Sequence, residues 1–137
     1  MNSKPVLTLD EAQKMLAAAR AEAEANNWAV AIAIVDDGGH PLAMLRLDNC
    51  APVSSYIAIE KARTSALGRR ETKIYEEMIN AGRTAFLSAP VISATLEGGV
   101  PLVVDGQVVA AVGVSGVKSD QDAQVARAAI SAVISAI

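Results

Sequence analysis

Apolar residues recur along this chain with two different periods, and the switches between them mark the elements. Ala12, Leu16, Ala19 and Ala23 fall at helical spacing, while Lys14, Arg20, Glu22 and Glu24 face elsewhere. Thr8 and Glu11 bracket the start as a capping box, and Asn26-Asn27 closes the run, so a first helix is predicted between them. Residues 29–35 (AVAIAIV) then form a short apolar run ending in Asp36-Asp37-Gly38-Gly39, which reads as a central strand followed by a turn. Beyond the turn, Leu42, Met44, Arg46 and Asp48 alternate with Ala43, Leu45 and Leu47, the period of a second strand paired as a hairpin with the first.

Helical spacing returns over residues 52–67 through Tyr56, Ile59 and Ala62, with Gly68 placed as the left-handed residue beyond the helix end. A shorter helix is predicted over residues 71–81, with Ile74 and Met78 turned inward and Gly82 as its stop. Residues 83–97 fit neither period and read as a loop with partial structure and moderate burial. Residues 101–104 and 108–115 flank Asp105-Gly106-Gln107, a strong hairpin signal with Gly106 at positive φ. Ser119 and Asp122 then open a final helix whose stripe is Val125, Ala129, Val133 and Ala136. The order αββααββα predicts an α+β fold in which one antiparallel sheet packs against helices.

Composition narrows the picture. The 137 residues fit one domain spanning 1–137, and a chain of that length buries roughly 68% of its unfolded surface without staples. Hydrophobic residues make up 52% and aromatic ones only 3%, so the core is built from Ala, Val, Ile and Leu. That surplus of small apolar residues, with an apolar end at residues 128–137, predicts an oligomer larger than a dimer. The net charge of −3 without any basic stripe argues against nucleic-acid binding. One Cys, Cys50, and one His, His40, exclude zinc frameworks and point to a reducing compartment. No apolar run reaches membrane length and no signal core opens the chain, so a cytoplasmic protein with no membrane partner is expected.

Four polar features interrupt apolar surroundings. Asp36 and His40 flank a Gly-Gly turn, either as plain turn residues or with His40 as a ligand. Arg46-x-Asp48 ends the second strand, either as solvated edge residues or with Arg46 as a clamp for a carboxylate. Lys61 stands in an apolar helix beside Arg63 and Thr64, where Arg63 reads as solvated and Lys61 as solvated or pocket-facing. Gly113-Val114-Ser115-Gly116 lies between strand and helix, either for close packing or to offer free amides to an anion.

Val35-Asp36-x-x-Gly39, Arg46-x-Asp48, Lys61-Ala62, Gly98-Gly99-Val100-Pro101, Asp105-Gly106, Gly113-Val114-Ser115-Gly116 and Gln121-Asp122 follow one another in a fixed order. In this the chain resembles the GlcG/HbpS (DUF336) family over about residues 8–135. The resemblance implies a profilin-like fold, a homo-oligomer with the octamer as the usual form, and a pocket that takes haem or a corrinoid in some relatives. It also implies ligand-binding roles for Gly98 and Gly99, and kinship with proteins encoded in catabolic operons.

Three functions compete. A haem- or tetrapyrrole-binding protein would draw iron ligands from His40, Met44, Tyr56 or Met78. An enzyme or accessory protein for a small carboxylated metabolite would hold its substrate with Arg46 and Lys61, stabilise charge on the amides of residues 113–116, and move a proton with Asp36 or Asp120. A structural scaffold would use the glycines for subunit packing. The expected pocket lies between Arg46–Asp48, Lys61 and Gly113–Gly116, with Ser115 among its contacts.

Overall fold

Both predicted hairpins form, and their most apolar strands pair with each other at the centre of a single sheet. The computed structural model describes residues 1–134. Its elements are α1 (Leu9–Ala25), β1 (Ala31–Asp36), β2 (Pro41–Arg46), α2 (Val53–Gly68), α3 (Thr72–Asn80), a 3-10 turn (Thr84–Ser88), β3 (Gly99–Val104), β4 (Gln107–Ser115) and α4 (Ser119–Ile134). The sheet runs β2-β1-β4-β3 and every neighbour is antiparallel, so the α+β class and the element order hold.

Alternation along β1 sorts the core into two layers. Ile32 and Ile34 join Val112 and Val114 against Ala12, Met15 and Ala19 of α1 and Val125 and Ala129 of α4. Ala31, Ala33, Val35 and Ala111 turn to the other side, against Ala58, Ala62 and Ala66 of α2. That second layer is almost all alanine, so helix and sheet approach closely. Closest of all is Gly113: a Cβ there would stand 2.0 Å from the Ala58 carbonyl oxygen and 2.5 Å from the Ala62 nitrogen.

Local chemistry explains the boundaries. Thr8 Oγ1 accepts the Glu11 amide at 3.2 Å and Glu11 accepts the Thr8 amide at 2.9 Å, completing the predicted capping box. Asp105 and Gly106 both have positive φ, 51° and 75°, as a two-residue I′ turn requires.

Other details depart from the sequence reading. β2 ends at Arg46, and a bulge at Ile34/Val35 breaks its alternation, so Leu42 packs on the α1/α4 layer. The left-handed residue after α2 is Arg69, at φ 57°, because Gly68 still belongs to the helix and faces the Tyr75 ring too closely for any side chain. In α3 the buried side carries Thr72 and Tyr75, which leaves Ile74 exposed. The 83–97 segment is largely exposed rather than moderately buried, with Leu87 and Val91 in solvent. In α4, Val125, Ala129 and Val133 are buried as expected, and Ala136 lies outside the described residues.

Candidate functional site

The region expected to form a pocket is filled by the protein itself. Lys61 is 2% exposed; its Nζ donates to the Val114 carbonyl oxygen at 2.9 Å and pairs with Asp122 Oδ2 at 3.1 Å. Asp122, read from sequence as part of a helix cap, is itself buried and also accepts the Val117 amide at 3.2 Å. Burial pushes its carboxyl up, opposed by the neighbouring Lys61 charge. The pair ties α2 to α4 around the start of β3. Lys61 is thereby committed to protein groups.

The glycines serve the same closure. Gly98, at φ 133°, lies where a Cβ would stand 2.7 Å from Lys61 Nζ, and a Cβ on Gly99 would stand 2.4 Å from the Lys61 carbonyl oxygen. Gly113 is covered by α2, and Gly116 packs on the backbone of Ala29 and Val30. The amide of Val114 donates to the Gly98 carbonyl oxygen at 3.0 Å, while that of Val117 is held by Asp122. Ser115 is 7% exposed and pairs across the sheet with Ala31. The expected anion cradle at residues 113–116 is thus a packing joint, a correction that follows from how close α2 comes to β4.

Asp36 and His40 sit at the other end of β1, where Asp36 pairs with Ala110. Asp36 Oδ1 accepts the amides of Gly38 at 2.9 Å and His40 at 3.0 Å, so the carboxylate organises the turn, and the His40 residue is exposed at its tip.

Arg46 and Asp48 part company. Arg46 and Met44 pair with Ala31 and Ala33, which places both on the α2 side of the sheet. α2 rests on Gly113, which pairs with Ala33 from the other flank, so Met44 and Gly113 lie roughly 10 Å apart with β1 between them. β2 is less covered on that side than the central strands: Met44 is 38% exposed, and Arg46 makes no ion pair among the described residues. Arg63 and Leu67 of α2 pack at Gly39, beside the hairpin tip, so their helical stripe back through Ile59 and Tyr56 borders the same open shelf. Ile59 is half-buried, Tyr56 is 75% exposed, and Arg63 pairs with Glu60 at 3.4 Å. Of the four candidate iron ligands, Met44 lies on this shelf and Tyr56 stands on the α2 stripe that borders it. His40 stands at the tip of the hairpin, and Met78 is half-buried on α3.

Asp48 lies beyond the strand and lines a separate open cavity of about 400 Å³ with Arg20, Glu24, Asn27, Trp28 and Asn49. The sequence reading passed over Trp28, although an Asn-Trp pair at a helix end is a visible sign of a polar, aromatic corner. No three of His, Cys, Asp and Glu converge on a metal-sized site among the described residues, and no helix there is long and apolar enough to cross a membrane.

Residues 7–131 match the family model described as "Haem degrading protein HbpS-like". The chain belongs to this family. It is 60% identical to "Protein GlcG" of Escherichia coli K12 over 115 residues, covering 84% of this chain and 85% of that protein. Among solved structures, Klebsiella pneumoniae protein ORFY superposes with a TM-score of 0.88 at 32% identity, covering 100% of this chain and 98% of that one. A structure described as a PduOC:Heme complex superposes at 0.84 with 26% identity, covering 93% and 95%.

Proposed function

We propose that this HbpS-like chain binds haem or a related tetrapyrrole on the open shelf between β2 and α2. The observation that carries the reading is the near full-length likeness to PduOC, whose structure is described as a haem complex, within a family described as haem-degrading. A planar apolar ligand with carboxylate arms needs an apolar surface, a cation for the arms and a side chain able to meet the metal. Ile59, Met44 and Tyr56 offer the surface, and the Met44 thioether or the Tyr56 phenol offers the metal contact. Arg46, which makes no ion pair among the described residues, offers the cation. Bound haem would supply the redox chemistry of its iron, while the chain orients the ring and neutralises its carboxylates. Asp48, Lys61 and the glycines at 98, 99, 113 and 116 act behind or beside the shelf.

A shelf this open is best completed by neighbouring copies, which supports a homo-oligomer beyond a dimer with the octamer as the proposed form. Cys50 is unpaired, which fits a cytoplasmic setting. Titration of haem into the protein, followed at its intense blue-region absorption band, tests the reading. Wild type should saturate, and Arg46→Ala should bind more weakly by about 1.5–3 kcal/mol, the worth of a charge-assisted hydrogen bond. Met44→Leu or Tyr56→Phe should move the band. Unsaturable binding, or equal affinity and spectra throughout, would remove haem from the shelf.

A further inference from the structure

The open cavity beside Trp28 is distant in chemistry from the shelf. Its walls come from the last turns of α1 and from the turn after β2, which is anchored where the Leu47 amide donates to the Val30 carbonyl oxygen at 2.9 Å. Two of its residues, Asn27 and Asn49, hold left-handed backbones at φ 58° and 70°. Their side-chain amides, the Asp48 carboxylate and the Trp28 indole N–H make no hydrogen bond within the described residues, whereas nearby Arg20 Nε is spent on Glu24 at 2.6 Å. The cavity therefore presents unspent donors and acceptors together, next to one half-buried aromatic ring.

Charge and stereochemistry select among ligands. Arg20 contributes one positive charge and Glu24 and Asp48 two negative ones, so the lining carries a net −1 and disfavours anions. A cation would be drawn to Asp48 but would sit in the field of Arg20. Hydroxyl groups both donate and accept, which matches two amides, a carboxylate and an indole N–H without placing any charge in the cavity. Adjacent hydroxyls can bridge the two oxygens of Asp48 or the oxygen and nitrogen of one amide, and their C–H faces can rest on an indole ring.

We propose that this cavity binds a neutral polyhydroxylated small molecule of the sugar or sugar-alcohol class, at a site separate from the haem shelf. Trp28 is the single tryptophan of the chain, so its fluorescence and its indole N–H resonance report on the cavity alone. Titration with sorbitol and with methyl glucoside should give a saturable change in both signals, with a Kd in the millimolar range. Asn49→Gly keeps a residue suited to positive φ while deleting the amide, and should weaken binding about ten-fold, as should Asp48→Ala; neither should alter haem titration. Signals that drift linearly with polyol, or that saturate equally in both variants, would overturn the assignment. So would saturation by tetramethylammonium or acetate in place of the polyols.

Discussion

Gly113 and Gly106 are both demanded by the backbone, for opposite reasons. At Gly113 the obstacle is space, because a methyl group would overlap the Ala58 carbonyl oxygen and the Ala62 nitrogen, neither of which can swing aside. At Gly106 there is open space, and the obstacle is a φ of 75° that side chains resist. Gly113→Ala should therefore cost about 3 kcal/mol and Gly106→Ala about 1 kcal/mol, read from urea unfolding midpoints at unchanged slope. Gly106 was legible in the sequence because Asp-Gly between apolar runs is a local signal. Gly113 was legible only as a small residue, since its purpose depends on a helix that lies more than forty positions away in the chain. The same distance hid the fate of Lys61, which sequence context left open between solvent and pocket.

Among the elements, α2 and α4 lie on opposite faces of the sheet and meet through the buried Lys61–Asp122 pair. Removing one partner strands the other charge, so Lys61→Met or Asp122→Leu alone should cost about 3–5 kcal/mol, and the double variant less than the sum. Burial raises the Asp122 carboxyl above its unfolded value, so between the ordinary aspartate range near 4 and that raised value the folded chain holds more protons than the unfolded one. Stability contributed by this group is present at the acid end and declines as pH rises through that window. The difference in unfolding free energy between wild type and Asp122→Asn should fall across it and then level off; a flat difference would refute the raised carboxyl. Element order and strand neighbours could be read from periodicity because strand alternation and Asp-Gly turns are local. The Ser119–Asp122 spacing marked the start of α4 correctly for the same reason, but three residues apart is a local distance, and nothing local shows that Asp122 has a cation waiting across the fold.

For the whole molecule, Met44 of β2 and Tyr56 and Leu67 of α2 are exposed apolar side chains bordering the shelf. Light scattering should return a mass above that of two 14.1 kDa chains. A monomer mass would leave these side chains in water and defeat the assembly expected from the small-residue surplus. The expected pocket and the observed shelf share Arg46 but little else, because a strand's solvent-exposed face depends on where the covering helix comes to rest. That resting place is fixed by bare backbone at Gly113. A helix seated tightly on β4 is an off-centre roof, and it is the overhang it fails to provide that leaves the edge strand less covered. The platform at β2 is in this sense a vacancy set by an atom missing two strands away, so a larger residue at position 113 should move the roof and redraw the ligand surface without touching any residue on it.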